Sequence, residues 1–191
     1  MIILNYIYGI FYDIKWAIPF IIIFVIFFII IFNKKGYQNH IKHGIGIGIF
    51  ILYLLMLLES TIPFINIYMA FVNNNLFSNV NNINLIPLRG IETILKSGNI
   101  TAFMNIFGNI LMFIPFGLFL PLFWKKFYSI KKIFLYAFVF SLLIEIIQLF
   151  SFRGTDIDDV ILNTSGALIG YSIYIILIKY FPSIKSKCLL K

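Results

Sequence analysis

One acidic side chain lies inside a long apolar run in the second half of the sequence. Glu145 follows Ser141 by four residues and precedes Gln148 by three, so on a helix all three share one face. A charge at the centre of a membrane-spanning helix costs about 2.5–3.5 kcal/mol, so an acid kept there usually marks a site. Glu145 is therefore a candidate general acid or base, cation ligand or headgroup partner. The alternative is an internal salt bridge with Arg153 or Arg89, or a hydrogen-bond network that holds helices together.

A nine-residue polar break follows this run and carries four charged residues. Arg153 has donors in a rigid fork that suits a phosphate or carboxylate, although pairing with the neighbouring acids accounts for it equally well. Asp156, Asp158 and Asp159 offer oxygen ligands for a divalent cation. The alternative is that Thr155-x-x-Asp158 forms a capping box and that the acids suit the dipole of the following helix.

Other polar residues near these two stretches are candidates for one shared ligand pocket. Interhelical hydrogen bonding, worth about 0.6 kcal/mol per contact, is the alternative for the amides, and interfacial anchoring is the alternative for Arg89. No Walker A or G-x-G-x-x-G motif is present in the sequence, so we expect no nucleotide. The ligand-binding candidates are Asn84, Arg89, Asn109, Glu145, Gln148, Arg153, Asp156 and Asn163.

The composition predicts that membrane helices position these residues. Hydrophobic residues make up 61% of the 191-residue chain and charged residues only 12%, which is typical of a membrane protein. The net charge of +8 comes from short clusters between apolar runs, a pattern of membrane topology that does not favour nucleic-acid binding. The single cysteine, Cys188, excludes an intrachain disulfide.

Five apolar runs predict an all-α polytopic bundle, with residues 1–191 forming a single membrane domain. Pro63 should end or kink the second helix. Between the second and third runs, residues 82–89 are too short to span and too apolar for a plain loop, which predicts an interfacial or re-entrant segment. The predicted spans are residues 16–32, 44–58, 105–124, 133–150 and 160–178.

Small residues and charge predict how the helices pack and how they are oriented. Gly166-x-x-x-Gly170 and Gly44-x-x-x-Gly48 should let helices approach closely. With five spans, one side receives 11 of the 15 basic residues and none of the seven acids, which predicts an N-out/C-in orientation. The candidate site residues then lie at the outer ends of the helices, so we expect the functional face to be extracytoplasmic.

Four blocks of sequence carry a resemblance to a known family. They read N-L-I-P from Asn84, G-N-I-L-M-F-I-P-F-G from Gly108, S-L-L-I-E-I-I-Q from Ser141 and R-G-T-D-I-D-D-V-I-L-N-T-S-G from Arg153. Over about residues 84–170 the chain resembles the VanZ-like family of bacterial integral membrane proteins. The family's polar positions correspond to Asn84, Pro87, Asn109, Pro115, Glu145, Gln148, Arg153, Asp156, Asp158, Asp159 and Asn163.

This resemblance implies a multi-pass protein of the bacterial cytoplasmic membrane. It also implies a link to low-level resistance to the lipoglycopeptide teicoplanin, without the vancomycin resistance that remodelled cell-wall precursors give. The first hypothesis is a binding protein whose outer pocket engages an envelope amphiphile, either a lipid-linked cell-wall precursor or the lipid tail of the drug.

Two further hypotheses stay open at this point. One is a hydrolase or transferase acting on an envelope precursor through Glu145 and the Asp156, Asp158 and Asp159 carboxylates. The other is a structural partner of cell-wall machinery. We expect no cofactor, with a divalent cation as the only candidate, and the lipid bilayer as an obligatory partner.

Overall fold

The computed structural model describes residues 39–62, 67–68, 71–73, 83–150 and 154–182. The first predicted span and Arg153 lie outside these residues. The described chain is mostly helical, as the sequence predicts. Its elements are α1 (Asn39–Thr61), β1 (Ile83–Asn84), α2 (Arg89–Ser97), α3 (Ile100–Phe123), a 3-10 turn (Lys125–Phe127), α4 (Ile130–Gln148), β2 (Thr155–Asp156) and α5 (Ile157–Tyr180).

Helices form at the second, third, fourth and fifth predicted spans. Helix α1 ends at Thr61, two residues before Pro63, whose ring cannot continue the backbone hydrogen-bond ladder. Among the described residues, two helical stretches, Ala102–Phe123 within α3 and Ile157–Tyr180, are long and apolar enough to cross a membrane, and Gly46–Thr61 within α1 is a shorter apolar stretch.

The connection before α3 differs from the prediction. It contains a nine-residue helix, α2, and α3 begins at Ile100, five residues before the predicted start. Nine helical residues rise only about 14 Å, so α2 cannot cross a bilayer. The sequence interpretation missed α2 because it is short and lies between Asn-rich stretches that dominate the local composition.

Helices α3 and α5 pack backbone against backbone. A Cβ added to Gly166 would lie 2.2 Å from the Ile110 carbonyl oxygen, and one added to Gly170 would lie 1.9 Å from that of Ile114. From the other side, a Cβ on Gly117 would lie 1.8 Å from the Ala167 carbonyl oxygen. Only glycine permits these approaches, so the predicted packing role of Gly166-x-x-x-Gly170 is confirmed.

The other glycine pair does not have this role among the described residues. No described atom lies within 4 Å of a Cβ built on Gly44 or on Gly48. Helix α1 instead contacts α3 through aromatic side chains: the Phe50 and Phe119 rings meet edge to face at 5.8 Å, and the Tyr53 hydroxyl donates to the Met112 carbonyl at 2.6 Å.

Helix α4 buries three polar residues and exposes many of its large apolar ones. Ser141, Glu145 and Gln148 point into the bundle, whereas Leu143 and Ile146 are exposed. Water would favour the opposite arrangement, because apolar surface is costly there and polar groups are well solvated. Hydrocarbon favours the observed one. The exposed large apolar side chains of α4 are Ile130, Phe134, Leu135, Tyr136, Phe138, Val139, Leu143, Ile146 and Ile147.

A two-residue parallel strand pair joins two distant connectors. In it Ile83 lies opposite Thr155 and Asn84 lies opposite Asp156. The pair fixes the start of the α2 segment beside the start of α5. This contact between residues more than 70 positions apart builds the candidate site.

Candidate functional site

The site begins at the first turn of α5. Asp156 is the N-cap residue, and its Oδ1 accepts the backbone N–H of Asp158 at 2.9 Å. The predicted capping box with Thr155 as the cap is therefore wrong. The Thr155 hydroxyl instead donates to the Glu145 carbonyl at 3.2 Å, which ties β2 to the end of α4. The observed N-cap lies one residue after the predicted one, because Asp156 has extended backbone and immediately precedes the first helical residue.

Asp158 caps a different helix from its own. Its side chain is 2% exposed, its Oδ1 accepts the backbone N–H of Leu88, and its Oδ2 accepts that of Ile91 at 3.0 Å. Leu88 is the N-cap residue of α2 and has no side-chain acceptor to offer. The buried carboxylate therefore satisfies amide donors that the start of α2 leaves without a partner.

Asp156 and Asp158 also press against the backbone of α2. The Asn84 amide donates to Asp156 Oδ1 at 2.9 Å. A Cβ added to Gly90 would lie 2.7 Å from Asp156 Oδ2 and 3.0 Å from Asp158 Oδ2. A side chain at position 90 would therefore force either α2 or the two carboxylates to shift.

Glu145 and Gln148 connect this arrangement to the rest of the bundle. Glu145 is 3% exposed, and its Oε2 accepts the backbone N–H of Asp156 at 3.0 Å. The Gln148 amide donates to the Thr61 carbonyl at 2.7 Å, at the last residue of α1. The face predicted for these residues is confirmed, and it meets backbone groups of neighbouring segments.

Two further contacts join the helices along their length. The Asn109 amide of α3 donates to Asp159 Oδ1 at 2.6 Å. Deeper in the bundle, the Asn163 amide donates to the Ser141 hydroxyl at 2.8 Å, and both residues are buried. Interhelical hydrogen bonding, one of the two roles considered for these asparagines, is therefore observed.

We call Glu145, Gln148, Asp156, Asp158 and Asp159 the clamp. Together its side chains contact β1 and α2, α3, the end of α1 and the backbone of β2. The carboxylates of the clamp accept from N–H donors and the Gln148 amide donates to a carbonyl, and hydrogen bonds to a charged acceptor are the stronger ones.

The three aspartates of the clamp point to three different sets of partners. Asp156 accepts from the Asn84 amide and from the first turn of α5. Asp158 accepts from backbone N–H groups at the start of α2, and Asp159 accepts from the Asn109 amide. Within the described ranges, no three His, Cys, Asp or Glu side chains are grouped to hold a metal ion.

Arg89 does not join the clamp. It is exposed, and it forms no ion pair with any acid in the described part of the chain. The one described ion pair on α2 joins Lys96 to Glu92, four residues apart on the polar face. Arg89 thus leaves its charge at the surface, next to the exposed Leu88.

Sequence reasoning missed the partners that are backbone groups. The N–H groups of Leu88 and Ile91 and the carbonyl of Thr61 have no side-chain signature. One signal was available at Gly90, which follows a proline-containing turn and opens a helix, where glycine is otherwise unfavourable.

Fold and site together define a mostly helical protein with two described helices long and apolar enough to cross a membrane and with Glu145, Gln148 and Asp158 buried in the bundle. The VanZ/LLP1 family model matches residues 49–178, so this chain belongs to that family. Protein VanZ of Enterococcus faecium is 42% identical over 73 residues, which cover 38% of this chain and 45% of that protein. The matched stretch therefore spans less than half of that relative's length. No solved structure matches the chain significantly.

Proposed function

We propose that this chain is a multi-pass protein of the bacterial cytoplasmic membrane whose extracytoplasmic end engages an envelope amphiphile, and that it thereby lowers sensitivity to teicoplanin. The supporting observation is that the clamp lies at one end of the bundle and holds the α2 segment there. That segment carries an exposed cation beside exposed apolar side chains, Arg89 next to Leu88. A headgroup anion and a hydrocarbon chain are the two parts that an amphiphile offers to such a surface.

The charge distribution supports an extracytoplasmic position for this end. Lys125, Lys126, Lys131 and Lys132 lie where α3 leads into α4, at the end opposite the clamp, and all are exposed. Lysine-rich short connectors stay on the cytoplasmic side. With residues 16–32 as the first of five spans, as the sequence predicts, the N-terminus then lies outside and the C-terminus inside.

Thiol labelling tests this orientation. In a Cys188→Ser background, a membrane-impermeant maleimide added to whole cells should label Ser97→Cys and leave Lys126→Cys unlabelled until the cells are opened. Labelling of Lys126→Cys on intact cells contradicts the orientation.

Drug susceptibility in a sensitive Gram-positive host tests the function. The wild-type protein should protect against teicoplanin and leave vancomycin sensitivity unchanged. Arg89→Ala should remain abundant in the membrane but lose protection, because it removes the cation without touching the clamp. Thr93→Ala, also exposed on α2, is the matched control and should protect fully. Absence of protection by the wild type, or full protection by Arg89→Ala, would refute the proposal.

A second candidate is a structural partner of cell-wall machinery, in which the acids only hold the bundle together. The contacts of Asp158 and Glu145 with backbone N–H groups favour it. This candidate predicts that clamp variants disappear from the membrane and that Arg89→Ala is without effect.

A further inference from the structure

The turn that leads into α2 contains a backbone conformation that is unusual for its residue. The Arg89 N–H donates to the Ile86 carbonyl at 3.3 Å, closing a turn with Pro87 and Leu88 at its centre. Leu88 has φ 67° and ψ −3°, the left-handed conformation that glycine or asparagine normally supplies at this turn position. A leucine there is strained, and such strain persists where surrounding contacts fix it and often serves a function.

The clamp is what fixes this strained residue. The Leu88 N–H donates to Asp158 Oδ1, and the Ile91 N–H, one turn further, donates to Asp158 Oδ2. A glycine would relieve the strain but remove the side chain. The side chain is therefore the feature to explain, and it is 57% exposed.

Leu88 belongs to a larger apolar surface. Leu85 and Ile86 precede it in the same turn and are 71% and 55% exposed. On α2, Leu95 is also exposed. Leu95 lines an open groove together with Ile94, Gly98, Asn99, Ile100 and Phe103.

This surface continues into the outside of a predicted membrane span. Phe103, Phe107 and Leu111 are exposed along α3, on the stretch that is long and apolar enough to cross a bilayer. The opposite side of α2 is polar, with exposed Glu92, Thr93 and Lys96. Helix α2 thus has an apolar side that continues into a membrane span and an opposite polar side. This arrangement is typical of a helix lying in the membrane interface.

We propose that Leu85, Ile86, Leu88 and Leu95 form a lipid-docking surface that inserts among the acyl chains of one leaflet, with Arg89 at the level of the phospholipid phosphates. The occupant is bulk phospholipid and no specific ligand, so the inference concerns how the α2 segment lies in the membrane and goes beyond what that segment recognises. It also decides between the two predicted arrangements of this segment in favour of the interfacial one. The clamp holds the strained turn so that three apolar side chains enter the leaflet as a rigid unit.

Spin labelling of the full chain in phosphatidylglycerol–phosphatidylcholine vesicles tests this surface. Single cysteines at Leu88→Cys and Leu95→Cys, in a Cys188→Ser background, should give nitroxides that collide more with oxygen than with a water-soluble nickel chelate. Thr93→Cys, on the polar side of the same helix, is the matched control and should show the reverse. Equal nickel accessibility at positions 88, 93 and 95 would overturn the proposal and would favour a protein partner as the occupant of this surface.

Footprinting of the unaltered protein gives a second readout that needs no variant. Hydroxyl radicals generated in water should fail to oxidise Leu88 and Leu95 in the same vesicles, although both side chains are exposed on the protein itself. Oxidation of both at the rate of a leucine in a free peptide would also overturn the proposal.

Discussion

Replacing Asp158 with asparagine should weaken the attachment of α2 to the bundle and leave the packing of the other helices unchanged. Asparagine has nearly the same shape, but one of its two terminal atoms is a donor. It can accept only one of the N–H groups of Leu88 and Ile91, and it places its own donor against the other. A hydrogen bond to a charged group contributes about 1.5–3 kcal/mol, so we expect local opening of α2 to become easier by about 2 kcal/mol.

Amide hydrogen exchange in nanodiscs measures this change directly. When exchange occurs through local opening, about 2 kcal/mol corresponds to an approximately thirty-fold faster rate. Peptides covering residues 88–97 should show this increase, whereas peptides from the middle of α4 should keep their protection.

Asp159→Asn is the control from the neighbouring position. Asp159 accepts from Asn109 in α3 and is not the residue that caps α2, so α2 should exchange at the wild-type rate in this variant. The reasoning is refuted if Asp158→Asn leaves residues 88–97 protected, or if both variants accelerate exchange in α2 equally.

Four other substitutions test the packing around the site. Gly170→Ala should lower the free energy of unfolding in detergent by about 1–3 kcal/mol, because its Cβ would meet the Ile114 carbonyl and force α3 and α5 apart. Gly108→Ala, with no described atom within 4 Å, should be neutral or stabilising by up to about 1 kcal/mol; an equal loss in both variants would contradict the close packing. Gly90→Ala should accelerate exchange in α2 as Asp158→Asn does, and unchanged protection would show that the carboxylates can move aside. Asn109→Ala should cost about 1 kcal/mol in thermal unfolding through its contact with Asp159, and no change would mean that this contact is not stabilising.

The helices were largely predictable because their signals are local. An apolar run of sufficient length predicts a helix wherever its neighbours lie, and Pro63 marks the end of α1. Gly166 and Gly170 were also identified correctly, since their four-residue spacing directly indicates a close-packed face.

The site was only half predictable because its partners are distant and belong to the backbone. Glu145, Asp156 and Asp158 could be selected as candidates, since buried charge in an apolar chain is costly. Their partners follow from the pairing of β1 with β2, two residues each, which is too short to leave a periodic pattern. Helix α2 also lacks a local start signal. Asp158 of α5 caps it, so its own sequence carries no capping residue.

Binding of two drugs to the purified wild-type chain in nanodiscs tests the proposed function most directly. Teicoplanin carries an acyl tail and vancomycin does not, so a surface that engages an amphiphile should bind teicoplanin saturably and leave vancomycin unbound. Arg89→Ala should weaken teicoplanin binding, and Thr93→Ala should not. Failure of teicoplanin to bind, or equal binding of both drugs, would contradict amphiphile recognition at the α2 segment.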